Sequence, residues 1–431
     1  MSKLALAGGS PVRTRPLPAH QTMGAEERRA VLEVMESGVL SGFLGSWGEE
    51  FYGGPRVRSC ERMFAQRFDA RYAISVNSAT TGLQVALTAA GIEPGDEVIV
   101  SPYTMSATAA TIVAQNAIPV FADVESQTYG LDPASVAERI TEDTRAIVVV
   151  HLFGHPARMD GLLELAQRHD LAIIEDAAQA VGASWYGKQV GTMGVVGVLS
   201  LNRHKIIHCG EGGIVLANDP EVARIAQMVR NHGEVVVDDE GGDPLNTLGS
   251  NFRLTEIEAA IATVQLQKLD ELLEIRRRLA ARLTSRLEQH LQLIPAHTAP
   301  GCTSSHYLFP IRLRPDLLEI VDRSTIARAL RAEGIAVGTG YVKPIYLQPL
   351  YQQRLGRGRR GCPWTCGHWA GTVSYEHGIC PVTERLWEQE LMLLDVCRSP
   401  LTERDVDDVA DAFEKVLGSL GELSMLAGNL L

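Results

Sequence analysis

Ser200-Leu201-Asn202-Arg203-His204-Lys205, continued by Ile206-Ile207-His208-Cys209-Gly210-Glu211-Gly212-Gly213, sets one lysine between an apolar run and a cluster of glycines. Asp176 stands upstream, at the end of Leu171-Ala172-Ile173-Ile174-Glu175. A lysine that forms a Schiff base must deprotonate readily, which partial burial and nearby positive charge promote. A β-rich, glycine-flanked segment is an unusual place for a solvated lysine. His204 beside it either supplies positive charge or is a surface residue. A lysine, an acid at a strand end and small hydroxyl residues are the parts needed to hold pyridoxal phosphate, so the stretch points to an enzyme.

Outward from that stretch the chain alternates. Strands are expected at 72–76, 97–101, 120–122, 146–152, 171–175 and 214–216, with helices at 57–68, 81–90, 107–115, 133–140, 160–169 and 221–231. Alternation of this kind implies parallel strands joined by crossovers. Runs that are apolar on both faces, such as Ala146-Ile147-Val148-Val149-Val150, suit a sheet covered by helices on both sides. Ile257, Ile261, Val264, Leu266 and Leu269 form an apolar stripe on a long helical pattern from Thr255 to His290. The resulting expectation is an α/β chain in three parts: an arm over 1–54, a large unit over 55–285 and a smaller α+β unit over 286–431. The arm holds a helix at 26–37 and then Ser41-Gly42-Phe43-Leu44-Gly45-Ser46-Trp47; it is expected to pack on another surface, such as a second subunit. The smaller unit holds a strand at 309–313 and helices at 324–333 and 406–417. The charged, turn-rich segment 237–243 should be an exposed loop.

Composition narrows the function class. The chain has 431 residues, 45% hydrophobic and 21% charged, with a formal net charge of -12. That charge leaves no excess of Lys and Arg to neutralise phosphates, which argues against nucleic acid as a partner. The short run Arg354-Leu355-Gly356-Arg357-Gly358-Arg359-Arg360 reads as a solvated loop, or as a contact for an anionic substrate. Seven irregularly spaced cysteines suit reduced thiols in a cytoplasmic protein. No signal peptide and no membrane span are expected. Cys362, Cys366, His368, His377 and Cys380 have the side chains of a zinc site. The spacing is Cys-x3-Cys with no second close pair, and Pro363, Trp364, Trp369 and Tyr375 interleave, as in a packed loop. No metal is expected.

Tyr72-Ala73-Ile74-Ser75-Val76 leads through Asn77-Ser78-Ala79-Thr80-Thr81-Gly82 into a helix. Small residues at such a turn leave backbone N–H groups free to meet a phosphate; Ser78 and Thr80 serve equally well as plain caps. Asp176, at the carboxyl end of its strand, is placed for the crevice of an open α/β sheet. There it can pair with the ring nitrogen of the cofactor, or act as a cap or salt-bridge partner. Gln179, three residues on, is near enough to touch the ring hydroxyl. A nicotinamide-dependent oxidoreductase would need G-x-G-x-x-G after the first strand, and Asn77 to Gly82 lacks it.

Five ordered runs carry a resemblance: Pro94-Gly95-Asp96-Glu97-Val98-Ile99-Val100, Glu175-Asp176-Ala177-Ala178-Gln179-Ala180, Ser200-x4-Lys205 with Gly210-Glu211-Gly212-Gly213, Arg230-Asn231-His232-Gly233, and Asn251-Phe252-Arg253-Leu254-Thr255-Glu256-Ile257-Glu258-Ala259-Ala260. The chain resembles the DegT/StrS family of sugar aminotransferases, of the aspartate aminotransferase fold (fold type I). The resemblance implies that Lys205 forms the Schiff base and moves the proton, that Asp176 holds the ring nitrogen, and that Gln179 holds the ring oxygen. Ser78 or Ala79, Thr80 and Ser200 would bind the phosphate. Asn251 would reach it from the other subunit of a homodimer, so that active sites are shared. Met105 takes the place where the family carries an aromatic residue over the cofactor; a thioether can cover a ring face or be a core methionine. Ala79 stands where glycine is common, which a negative φ tolerates. Tyr341 and Lys343, in Tyr341-Val342-Lys343-Pro344-Ile345-Tyr346, and His204 are candidate substrate contacts.

The implied reaction moves an amino group from Glu or Gln to a keto sugar, nucleotide-linked first and a cyclitol ketone second, in amino-sugar or natural-product biosynthesis. A related branch that dehydrates sugars has His where this chain has Lys205, which argues for transamination. A non-catalytic regulatory homologue is the reading from a different class, and the lysine argues against it.

Overall fold

The structure is a computed structural model that describes residues 3–46, 48–233 and 247–428. The loop expected at 237–243 and the side chain of Trp47 lie outside the described residues. Ala146 to Val150, apolar at every position, is buried along its whole length within the strand Thr144–Val150. It lies near the centre of a seven-stranded sheet. The strand order is Tyr72–Val76, Gly213–Ala217, Val196–Ser200, Ala172–Asp176, Thr144–Val150, Glu97–Val100 and Ile118–Phe121. Gly213–Ala217 runs antiparallel to both its neighbours, and the other pairings are parallel. The sheet is therefore mixed and mostly parallel: the alternation accounts for the parallel pairings, whereas the antiparallel course of Gly213–Ala217 and the strand Val196–Ser200 were not read from it.

Period-two alternation divides the strands between two helical layers. Val98, Val100, Val148, Ile174 and Val198 pack with the helices Ala79–Ala89, Ala107–Ala114 and Pro220–Arg230. Ile99, Ile147, Val149 and Ile173 face the other side, against the helix Met159–His169. Leu199, Ile214 and Leu216 share that side with the helices Pro55–Phe68 and Glu256–Gln267.

The single helical run expected from Thr255 to His290 is two helices, Glu256–Gln267 and Leu269–Leu287. Thr255 and Glu258 cap the first reciprocally. The join is Lys268, whose N–H turns back to the carbonyls of Gln265 and Leu266. Its ammonium lies 2.7 Å from Glu27 and 3.3 Å from Glu26, so the junction is tied to the N-terminal helix Ala25–Ser37.

A second, antiparallel sheet is built from Leu293–Ile294, Phe309–Leu313, Leu391–Leu394 and Gly338–Thr339, in that order. Its core joins Leu279, Leu283 and Leu287 to Phe309, Ile311, Ile326, Leu330, Val409 and Phe413. Leu391–Leu394 is a strand that no periodicity announced, because four apolar residues are too short to separate strand from helix. The N-terminal segment packs on its own chain's smaller unit. Leu4 is fully buried in the second core, the N–H of Ala5 donates to Glu333, and Arg13 pairs with Asp405 and Asp408.

Candidate active site

Because Tyr72–Val76, Thr144–Val150, Ala172–Asp176 and Val196–Ser200 all point the same way, their carboxyl ends meet along one edge of the sheet, where open α/β sheets place their ligands. A pocket lies there with about 690 Å³ of empty space, its open mouth included. That is room for a small molecule. Ser78, Ala79, Thr80, Met105, Asp176, Gln179, Ser200, His204 and Lys205 all line it. These nine expected residues come from four separate stretches of sequence.

Lys205 sits in a loop folded back after Val196–Ser200. The N–H of Arg203 donates to the carbonyl of Gly210, that of Cys209 to Leu201, and that of Lys205 to Asn202. Asn202 Nδ2 lies 2.9 Å from each Glu211 carboxylate oxygen and closes the loop. The Lys205 side chain is 9% exposed. Burial, which disfavours the ammonium, pushes its pKa from 10.5 down to about 8, against an upward pull from Asp176. His204 lines the pocket and is exposed as a residue, though its imidazole is partly desolvated. Its pKa is lowered by burial and by the charges of Lys205 and Arg203, so at pH 7 the imidazole is neutral. The easier deprotonation of Lys205 thus comes from burial, and the charge anticipated from His204 is not what supplies it.

Asp176 ends its strand 6% exposed. One carboxylate oxygen accepts from the Thr108 hydroxyl at 2.8 Å and the other from the Ala178 N–H at 3.2 Å. On the opposite face of the same strand, Glu175 is fully buried. It accepts N–H groups from Gly191, Met193 and Gly194 at 2.6–2.7 Å and lies 3.0 Å from His151 Nε2. His151 Nδ1 accepts the Ala157 N–H, which leaves Nε2 carrying the ring proton toward Glu175. The strand that presents Asp176 is therefore anchored by its neighbour's carboxylate.

Gln179 is oriented on both sides. Its Oε1 accepts the Phe153 N–H at 3.1 Å, and its Nε2 donates to the Tyr341 hydroxyl at 2.9 Å. With the oxygen occupied, the amide faces the pocket as a donor.

The helix Ala79–Ala89 begins at one end of the pocket. Ser78 caps it through Thr81 N–H at 3.1 Å. The N–H groups of Ala79 and Thr80 have no partner among the described residues. Ala79 keeps a negative φ, so the absent glycine costs no backbone strain. The glycine cluster after Lys205 has its reason here. A Cβ on Gly213 would stand 2.8 Å from the Ala79 nitrogen and from the Ser78 carbonyl carbon, so only glycine lets the antiparallel strand pass this close. Ser200 is paired in register with Gly213 and presents its hydroxyl to the pocket.

Met105 is 54% exposed at the pocket wall and is not a core residue. Three expected residues do not line the pocket. Tyr341 reaches it through Gln179, and its ring packs edge-on against Tyr103 and Phe153. Lys343 is exposed. Asn251 is exposed beside Asn77, whose side chain reaches its carbonyl at 3.5 Å. Sequence reading missed Thr108, Glu211 and Tyr307. Thr104 and Thr108, four apart after a strand end, were a readable signal. Tyr307, whose ring centre is 4.7 Å from Lys205 Nζ, comes from the second sheet's unit and left none. Of the cysteine and histidine group near the C-terminus, Trp364, Tyr375 and Cys380 join the core; among the described residues no three ligating side chains gather for a metal.

A model of the DegT/DnrJ/EryC1/StrS aminotransferase family matches residues 21–377. An L-glutamine:2-deoxy-scyllo-inosose aminotransferase of Streptomyces lividus is 37% identical over 426 residues, covering 96% of this chain and 97% of its own. Among solved structures, the aminotransferase from Psychrobacter cryohalolentis superposes with a TM-score of 0.81 at 29% identity, covering 94% of this chain and 100% of that one. DesV of S. venezuelae, solved in complex with a ketimine intermediate, superposes with a TM-score of 0.76 at 33% identity, over 91% of this chain and 94% of its own.

Proposed function

The chain belongs to the DegT/DnrJ/EryC1/StrS aminotransferase family, and on that premise we propose that it is a pyridoxal phosphate-dependent enzyme that moves the amino group of glutamine to a ketone on a cyclitol or sugar in natural-product biosynthesis. The observation that carries this reading is one pocket holding a buried, easily deprotonated Lys205, the anchored carboxylate of Asp176 and the free N–H groups of Ala79 and Thr80.

The residues fit the cofactor at each of its polar points. Ala79 and Thr80 N–H groups and the Ser200 hydroxyl would hold the phosphate at the helix start. Asp176 would hold the ring nitrogen, Gln179 Nε2 would donate to the ring oxygen, and Met105 would cover a ring face. When bound, the cofactor supplies an electron-accepting ring that stabilises charge left on the substrate carbon. Lys205 would anchor it through its neutral amine and would take and return the proton at the substrate carbon. His204, Tyr341 and Lys343 are assigned to the acceptor.

A free cyclitol ketone is the favoured acceptor, with glutamine as donor, because the relative from Streptomyces lividus is named for that pair. The working unit is proposed to be a homodimer, with Asn251 serving the partner's site. Leu32, Met35, Val39, Leu40 and Leu44 are exposed on the N-terminal helix and the segment after it, as an interface requires. The division into an arm, a large cofactor-binding unit and a smaller unit at 1–54, 55–285 and 286–431 belongs to the same proposal. So does a cytoplasmic setting, which the free cysteines support. No helix of the described residues is long and apolar enough to cross a membrane.

Incubation of the loaded protein with glutamine and 2-deoxy-scyllo-inosose, read by mass spectrometry, tests the assignment. An aminocyclitol made by the native protein and lost in Asp176→Asn is the expected result. No amine product from any keto cyclitol or keto sugar overturns it.

A further inference from the structure

Asp176 meets a hydroxyl chain that the function assigned above does not use. Its Oδ2 lies 2.8 Å from Thr108 Oγ1, and Thr108 Oγ1 lies 3.2 Å from Thr104 Oγ1. Both threonines are 1% exposed. An ionised carboxylate only accepts, so the Thr108 proton is committed to Asp176. Thr104 must then be the donor to Thr108, and the chain has one direction, from Thr104 through Thr108 to Asp176.

We propose that Thr108 is a positioning residue for the cofactor: its hydroxyl fixes the plane of the Asp176 carboxylate so that the ring nitrogen meets an already oriented acceptor. The inference rests on the functional reading above. Two donors from different elements support it. The Ala178 N–H belongs to the turn after the strand Ala172–Asp176, whereas Thr108 belongs to the first turn of the helix Ala107–Ala114. A carboxylate held at both oxygens loses its rotation about the side-chain bond, and the remaining lone pairs point at the pocket. Hydrogen bonds to charged groups are the strong class, so losing this one should weaken cofactor binding by about tenfold to a hundredfold. A threonine that merely filled space would be replaced without loss by valine, which has its shape and lacks the hydroxyl.

The test is titration of the cofactor-stripped full chain with pyridoxal phosphate, read by absorbance and fluorescence, for native protein, Thr108→Val, Thr108→Ser and Thr108→Ala. The expected result is a dissociation constant raised about tenfold or more in Val and Ala, and returned to within about threefold of native in Ser. Native-like affinity in Val or Ala overturns the proposal, as does a Ser variant as weak as Val. If Val does not fold, Ala against Ser decides. A native protein that takes up no pyridoxal phosphate defeats the functional reading itself, whereas tight native binding with indifferent variants defeats only the role of Thr108.

Discussion

Lys205 holds its Nζ 4.7 Å from the centre of the Tyr307 ring, with the residue only 9% exposed. Two effects oppose each other there. An aromatic face favours the ammonium by about 0.5–2 kcal/mol. Burial disfavours it, and the fall from 10.5 to about 8 corresponds to about 3 kcal/mol. Burial wins, and the amine is available as a nucleophile close to neutral pH.

That amine is a strain on the fold, with a definite sign. Its folded pKa lies below its unfolded value, so the unfolded chain binds the proton more readily. The destabilisation is complete below pH 8 and disappears above pH 10.5. Lys205→Met in the cofactor-free protein should therefore gain about 3 kcal/mol at pH 7 and much less near pH 10, by urea unfolding. An equal gain at both pH values would show that the lysine is not held against its charge.

Gly213→Ala should injure binding more than folding. The added Cβ meets the backbone of Ser78 and Ala79, which cannot move aside as a flexible side chain can. Overpacking of this kind costs about 1–3 kcal/mol. The shift falls on the free N–H groups proposed to receive the phosphate, so cofactor affinity should drop at least tenfold while the circular dichroism spectrum stays native. Unchanged affinity would remove the phosphate from the Ala79–Thr80 turn.

Glu175→Ala should destabilise by about 3 kcal/mol or more. It strands the N–H groups of Gly191, Met193 and Gly194 and the Nε2 proton of His151. Denaturant titration measures this. A cost below about 1 kcal/mol would mean that the carboxylate is not the anchor of its strand.

Two buried histidines set the acid limit. Burial lowers His155 and His306 from 6.5 to about 4. His155 Nε2 also accepts the Ala299 N–H, a bond that protonation destroys. Below pH 6.5 the unfolded chain takes up protons that the folded chain refuses, so stability falls as pH drops toward 4, by at most about 3 kcal/mol per histidine. Unfolding midpoints measured from pH 7 to 4.5 should fall accordingly, and His155→Gln should flatten the slope. A flat native profile would contradict the assignment.

The sheet and most of the site were legible because their signals are local. Ala146 to Val150 announces a buried parallel strand by composition alone, and Asp176 follows from a strand end. Lys205 stands out by its glycine-flanked setting and Ser200 by the family resemblance, whereas the strand Val196–Ser200 that carries Ser200 was not anticipated. What escaped depends on contacts across the chain. Tyr307 meets Lys205 only after the second sheet packs, and Leu391–Leu394 is too short to have a period. The break at Lys268 is set by Glu26 and Glu27, more than two hundred residues away. Met105 carried two readings in the sequence, and only its exposure at the pocket wall separates them.

The central claim is that Lys205 is the residue joined to the cofactor. Borohydride reduction of the pyridoxal phosphate-loaded protein, followed by peptide mass spectrometry, tests it most directly. The predicted result is one cofactor fixed per chain, on the peptide containing Lys205, and none fixed in Lys205→Met. Label on a different lysine, or none on the native protein, would contradict the account.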